Sequence, residues 1–204
     1  MKLFKDTELE MHYRPEVLLN LVKNRKLQRW FQSDEVQGKI YQQNGQIITP
    51  SVDFNLFYIL LHIYRHFLYE GVGLRQLMDY FFVLESVSQQ TDKTLSLEEI
   101  EAFGMKRFAR GVMWIMQHVF GLEDQYLLYE PDEKEGSYIL HQIMVGGNFG
   151  HYDERLKTNK AQGKFSAITK ILKHNLHLLS HYPADVIWAP MWIGYHWRWK
   201  RIVK

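Results

Sequence analysis

The sequence has no cysteine, which excludes disulfide bonds, thiolate metal sites and cysteine nucleophiles. This composition fits a reducing compartment, and we expect a cytoplasmic protein. Long apolar runs are also missing, since the charge-free apolar stretches at 54–64 and 186–197 fall well short of the ~20 residues that a membrane-spanning helix needs. Neither sign of charge dominates, because 25 basic and 23 acidic residues leave a formal charge of +2. Such a balance gives no general attraction to nucleic acids or membranes.

Internal repeats and low-complexity linkers are absent as well, and 204 residues suit one domain with at most a small extension. Aromatic side chains are abundant by contrast, at 15% with six tryptophans. This abundance indicates a thick helical core filled by large side chains. We divide the chain into 1–50, the remnant of a sheet region plus a hairpin, and 51–204, a helical domain.

The segment at 7–15 alternates between polar and apolar residues, which predicts a half-buried strand. Its polar and apolar faces consist of Glu8, Glu10, His12 and Arg14 against Leu9, Met11 and Tyr13. A single strand cannot satisfy its own backbone hydrogen bonds. We therefore expect it to pair with a sheet that lies mostly upstream of Met1, with a partner chain or with a second copy of this chain.

A small hairpin is predicted where Asn44-Gly45, a preferred turn dipeptide, separates the β-prone runs 39–43 and 46–49. The segment 52–69 is apolar almost all round and predicts a buried central helix that ends at Gly71. A charged loop is expected at 131–136. Further helices are predicted at 16–31 with a break near Asn24, at 74–88, at 96–120 with a capping box at Ser96 and an interruption at Gly104, at 137–145 and at 164–180. The expected fold is mainly α (α+β): a helical bundle with an N-terminal strand and a small β-hairpin.

Two groups of residues have the composition of metal sites. Glu10 is a carboxylate on a strand face and suits Mg²⁺, which prefers oxygen ligands, but one carboxylate does not make a metal site, and from spacing alone a solvated strand face is the favoured interpretation. His62 and His66 share a helix face at i, i+4 spacing, as zinc ligands do. However, Ile63 stands where a metalloprotease needs glutamate, so hydrogen-bonded core histidines are the favoured interpretation.

Two further groups have the composition of binding sites. Arg75 and Asp79 lie one turn apart, where they can form an ion pair or Arg75 can contact a bound triphosphate. The segment at 188–201 interleaves tryptophans with basic residues, as in segments that bind nucleic acid or membrane surfaces. A terminal helix that docks its tryptophans on the core accounts for the same pattern.

Taken in chain order, these features resemble the C-terminal portion of a bacterial family of nucleotidyltransferases in the DNA polymerase β superfamily. The resemblance rests on the motifs EMHYRP at 10–15, GKIYQQNGQI at 38–47, LLHIYRHF at 60–67 and GLRQLMDYF at 73–81. It implies that Glu10 is the third catalytic carboxylate and a Mg²⁺ ligand. It also implies that the helical part closes over the nucleotide, with His62, His66, Arg75 and Asp79 as nucleotide-binding positions.

The chain departs from that family at the catalytic signature, a Gly-Ser turn followed by a strand that carries Asp-x-Asp. No Asp-x-Asp occurs in the sequence, and Gly136-Ser137 lies far downstream of Glu10. We therefore expect the C-terminal part of a larger enzyme, inactive alone, that uses Mg²⁺, an NTP and an unknown acceptor once the missing region is supplied. A non-catalytic helical interaction module and, less favoured, a small zinc hydrolase built on the two histidines are the alternatives.

Overall fold

The computed structural model describes residues 15–44, 47–88, 91–146, 177–188 and 191. The expected N-terminal strand with Glu10 and most of the predicted helix at 164–180 lie outside these residues, as does the tail beyond 191. The elements, in order, are α1 (Leu21–Phe31), α2 (Asp34–Ile40), β1 (Gln42–Asn44), β2 (Ile47–Thr49), α3 (Val52–Tyr69), α4 (Leu74–Glu85), α5 (Thr94–Ala102), α6 (Lys106–His118), a 3₁₀ turn (Asp124–Tyr126), α7 (Glu133–Gly146) and α8 (Pro183–Val186). The mainly helical fold class is confirmed. No helix in the described ranges is long and apolar enough to cross a bilayer.

The central helix α3 has the predicted bounds. The Ser51 hydroxyl accepts a hydrogen bond from the Phe54 N–H at 3.4 Å and caps its first turn. Gly71, with φ of 95°, ends it in a conformation that side chains disfavour. Most of its surface is buried against α2, α4 and α5, so α3 is the core around which the other helices pack.

The predicted hairpin is confirmed. Asn44 pairs with Ile47 and Gln42 with Thr49, so Asn44 closes β1 and does not stand in the turn. Lys39 belongs to α2, whereas the sequence placed it in a strand.

Side-chain caps explain two wrong helix starts. α1 begins at Leu21, not at 16, because the side-chain Oδ1 of Asn20 accepts the N–H groups of Val22 and Lys23, both at 3.1 Å. Asn24, the predicted break, therefore lies inside the helix. α7 begins inside the predicted loop at 131–136, because Asp132 accepts the N–H of Glu135 at 3.1 Å.

The predicted helix at 96–120 divides at Gly104, as expected, where φ is +68°. The predicted capping box at Ser96 is wrong, because α5 starts at Thr94 and Ser96 lies buried inside it. Its hydroxyl donates instead to the backbone carbonyl of Asp53 at the start of α3. Ser96 therefore fastens α5 to the central helix.

Helices α6 and α7 approach each other through two glycines. A Cβ on Gly136 would lie 2.8 Å from the carbonyl oxygen of Gly111 and 2.6 Å from the Trp114 ring. A Cβ on Gly111 would lie 2.7 Å from the Ile139 side chain. These distances are shorter than van der Waals contact. The observed packing therefore requires glycine at position 136, where the Cβ would meet backbone, whereas at Gly111 the nearest atoms belong to side chains that can shift.

Two buried carboxylates hold the segment at 177–188 against the bundle. Asp185 accepts the Lys23 ammonium at 2.6 Å and the Tyr64 hydroxyl at 2.8 Å. Glu135 accepts Arg107 Nε at 2.6 Å and also the Tyr182 hydroxyl. The C-terminal segment is thus tied to α1, α3, α6 and α7 by charged hydrogen bonds.

Replacing Asp185 by alanine leaves Lys23 and the buried Tyr64 hydroxyl without their acceptor. We expect D185A to lower the free energy of unfolding by about 3–5 kcal/mol, because breaking a buried ion pair strands the other charge. Urea denaturation measures it. The exposed Asp79 provides the matched control, and D79A should stay within about 0.5 kcal/mol of wild type. Equal effects for the two variants would contradict the anchoring role.

The close approach of α6 and α7 gives a second test. We expect G136A to destabilise the fold by about 1–3 kcal/mol, because the added methyl group forces the helices apart. Gly38 in α2 is the control, since a Cβ there meets nothing within 4 Å. G38A should stabilise by about 0.5–1 kcal/mol through its helix propensity. Thermal unfolding of both variants measures these changes in stability. An unchanged stability of G136A would show that α6 and α7 can move apart without cost.

Candidate functional site

One face of α3 gathers His62, Arg65 and His66 beside two glutamates from its flanks, Glu16 and Glu70. We call these five residues the histidine–arginine cluster. The i, i+4 spacing places the two imidazole rings 4.3 Å apart between centroids, edge to face. Three basic side chains and two carboxylates therefore lie together at the surface of the central helix.

Glu16 enters the cluster from the chain that precedes α1. Its side chain is only 5% exposed, so its charge needs partners inside the protein. Oε2 lies 2.7 Å from His62 Nδ1, and Oε1 lies 3.0 Å from Arg65 Nε. The Val17 N–H also donates to Oε1 at 3.0 Å. Both carboxylate oxygens of Glu16 thus have partners within the protein, and these contacts hold the side chain in place.

Arg65 joins the two glutamates. Its Nη2 donates to Glu70 Oε1 at 2.6 Å, and its Nη1 lies 3.3 Å from His66 Nε2. A guanidinium only donates, so His66 Nε2 accepts and the ring proton stays on Nδ1, which lies 2.9 Å from Glu70 Oε2. Because all three guanidinium nitrogens of Arg65 contact protein groups, this side chain is poorly placed to bind a phosphate.

The protonation of His66 follows from these contacts. Burial lowers the pKa of His66 below its usual value, since a charged ring is poorly solvated there. The neighbouring His62 and Arg65 lower the pKa of His66 further, while Glu70 and Glu16 oppose them. His66 is therefore a neutral bridge between Arg65 and Glu70 at neutral pH.

The sequence-predicted site residues fall into three groups. Glu10 lies outside the described residues. His62 and His66 come together, each beside a carboxylate, which agrees with the hydrogen-bonded interpretation, although His62 lies at the surface with 40% of its side chain exposed. Arg75 and Asp79 both lie on the exposed face of α4, and in the described residues neither forms an ion pair with the other nor bonds to the cluster.

Metal binding finds no support in the described part of the chain. No three histidine, aspartate or glutamate side chains converge there on one point. His62 and His66 direct their Nδ1 atoms to different glutamates. A zinc centre on these two histidines would need a third protein ligand that the described residues do not supply.

Sequence reasoning missed Glu16, Arg65 and Glu70 as members of the site. Arg65 and Glu70 carried a usable signal, because Arg65 follows His62 by three positions and Glu70 follows His66 by four. Glu16 carried none, because it lies 46 positions before its partner His62. Only the tertiary fold brings it to the cluster.

The low pKa of His66 predicts a stability that rises with pH. The unfolded chain takes up a proton near pH 6.5, and the folded chain resists it, so the free energy of unfolding falls as the pH drops below about 6.5. H66Q should lose this part of the pH dependence. The exposed His141 provides the control, and H141Q should keep it. Urea denaturation between pH 7.5 and 5.5 measures the slopes, and equal slopes for both variants would refute the neutral bridge.

A comparison of the chain with known proteins finds a family match that includes the cluster. A family model for uncharacterised nucleotidyltransferases matches residues 2–121. The match spans α1 to α6 and includes the cluster, together with Glu10, Arg75 and Asp79. Neither the curated proteins nor the solved structures contain a significant match. Because the matched region covers more than half of its length, the chain belongs to the family of uncharacterised nucleotidyltransferases.

Proposed function

We propose that this chain supplies the nucleotide-facing helical part of an enzyme that transfers a nucleotidyl group from a Mg²⁺–NTP complex to a hydroxyl acceptor. The family match over 2–121 is the observation that carries the proposal. We further propose that the protein is bacterial and cytoplasmic, as the resemblance and the lack of cysteine suggest.

Arg75 is the residue best suited to bind the triphosphate. It lies on the exposed face of α4, and no described residue accepts a hydrogen bond from its guanidinium. A guanidinium without protein partners keeps its planar donor fork for phosphate oxygens. Asp79, one turn along, is an acceptor, and we assign it to the sugar hydroxyls of the same nucleotide.

In this proposal Glu10 is a ligand of the Mg²⁺ ion. A bound Mg²⁺ would neutralise charge on the phosphates and favour attack by the acceptor. The described residues hold no set of ligands for such an ion, and the sequence has no Asp-x-Asp to complete one with Glu10. We therefore propose that the 204-residue polypeptide binds NTP but does not turn it over unless further carboxylates are supplied.

The missing Asp-x-Asp also favours a second candidate function. A family member that has lost catalysis would act as a non-catalytic helical interaction module, which needs neither NTP nor Mg²⁺. Nucleotide binding separates the two candidates, because Arg75 has a role only in the first.

Titration calorimetry with the Mg²⁺ complexes of ATP, GTP, CTP and UTP tests the proposal. We expect at least one to bind, and R75A to weaken that binding by about 10–100-fold, the value of a hydrogen-bonded charge pair of roughly 1.5–3 kcal/mol. Arg25 is exposed on α1, and R25A is the control that should leave the affinity unchanged. No pyrophosphate should be released.

Each other outcome has a clear meaning. If none of the four nucleotides binds the wild-type chain, the transferase proposal fails and the interaction module remains. Equal weakening by R75A and R25A would remove Arg75 from the nucleotide site. Release of pyrophosphate would show that the chain assembles its own catalytic centre.

A further inference from the structure

His62 differs from the other basic members of the histidine–arginine cluster in having one nitrogen to spare. Nδ1 lies 2.7 Å from Glu16 Oε2, but Nε2 has no hydrogen-bond partner among the described residues. The side chain is 40% exposed, whereas the side chain of His66 is 10% exposed and has its two ring nitrogens close to Arg65 and Glu70. A small molecule in solvent can therefore reach His62 and not His66.

The contact with Glu16 decides where the proton of a neutral His62 ring lies. An ionised carboxylate only accepts hydrogen bonds, so Nδ1 carries the proton and Nε2 carries the free lone pair. This arrangement, in which a carboxylate fixes the tautomer and turns the other nitrogen outward, is how a general base is prepared. It is the opposite of what a phosphate ligand needs, because a lone pair repels phosphate oxygens.

The surroundings hold this arrangement still. Glu16 is fixed by the Arg65 guanidinium and the Val17 N–H, and its backbone carbonyl accepts Gln28 Nε2 at 2.9 Å. The Tyr58 ring stacks beside the imidazole with 6.5 Å between centroids.

Besides Glu16, Tyr58 and His66 lie beside the His62 ring. Arg65 and Glu70 lie one contact farther away, since Arg65 pairs with Glu16 and Glu70, and Glu70 contacts His66. Burial and the charge of Glu16 raise the pKa of Tyr58, which stays a neutral phenol. Arg65 and Glu70 offset each other, and His66 is neutral. The negative charge of Glu16 therefore remains to balance the positive charge of a protonated His62.

We propose that Glu16 and His62 form an acid–base dyad in which His62 Nε2 takes the proton of the acceptor hydroxyl. This assignment rests on the proposed nucleotidyl transfer and places the acceptor, not the triphosphate, at the histidine–arginine cluster. The hydroxyl O–H bond breaks as the Nε2–H bond forms, and the freed oxygen attacks the α-phosphorus. The bond from that phosphorus to the bridging oxygen breaks, and pyrophosphate leaves. His62 is the catalytic residue, and Glu16 is a positioning residue that also balances the imidazolium charge.

The tautomer of His62 is the first test, and it needs no nucleotide. Long-range ¹H–¹⁵N correlation spectra of the full chain at neutral pH should show a protonated Nδ1 and an unprotonated Nε2. E16A should lose this single tautomer, whereas E16Q, whose amide oxygen still accepts from Nδ1, should retain it. Protonation of both nitrogens in the wild type would mean an ordinary ion pair and would overturn the dyad. So would a wild-type tautomer with its proton on Nε2.

Reactivity of Nε2 is the second test. Diethyl pyrocarbonate acylates imidazole nitrogens that are unprotonated and accessible, and peptide mass spectrometry locates the product. We expect His62 to react at least tenfold faster than His66, which serves as the internal reference in the same helix. H62Q should remove the fast product from the peptide that carries position 62 and leave the slow reaction at His66. Equal rates at the two positions would refute an open base.

These tests are independent of the transferase proposal. If no NTP binds but His62 shows the single tautomer and the fast reaction, the dyad stands and only the nucleotide assignment falls. If NTP binds but His62 is doubly protonated or unreactive, the dyad falls and the nucleotide site stands.

Discussion

The buried carboxylate of Asp185 is the contact on which the described fold depends. It accepts Lys23 from α1 and the Tyr64 hydroxyl from α3, and thereby joins the two helices to the C-terminal segment. A buried charge is tolerated only where such partners surround it. Burial, with the Asp185 charge behind it, raises the pKa of Tyr64 well above its usual range. The phenol therefore keeps its proton and donates across the whole physiological pH range.

The helix that carries Tyr64 also carries the basic residues of the histidine–arginine cluster. At the helical spacing, the residues two before Tyr64, one after it and two after it lie on other sides of α3. Those residues are His62, Arg65 and His66, and the chain before α1 covers them with Glu16. The Tyr58 hydroxyl donates to the Pro15 carbonyl at 3.1 Å and holds that chain in register. A structural anchor and a candidate acid–base centre thus occupy different faces of one helix.

Local chemistry decided which parts could be predicted from sequence. The bounds of α3 were readable because Ser51 and Gly71 act on their own neighbours. The starts of α1 and α7 were not predicted correctly. The capping residue Asn20 lies in a segment with a helical pattern, and the capping residue Asp132 lies in a segment with the composition of a loop. The spacing of His62 and His66 predicted their meeting, but it could not predict Glu16, which arrives from a distant segment. The free guanidinium of Arg75 was equally hidden, since its spacing to Asp79 suggested an ion pair that the described structure does not contain.

The glycine contact between α6 and α7 has a consequence for motion. A Cβ on Gly136 would lie 2.8 Å from the Gly111 carbonyl oxygen, and a Cβ on Gly111 would lie 3.1 Å from the Glu135 backbone, so the two helices are closely packed at this point. The family match ends just after α6, so α7 lies outside the matched region. We therefore expect α6 and α7 to move together as one unit.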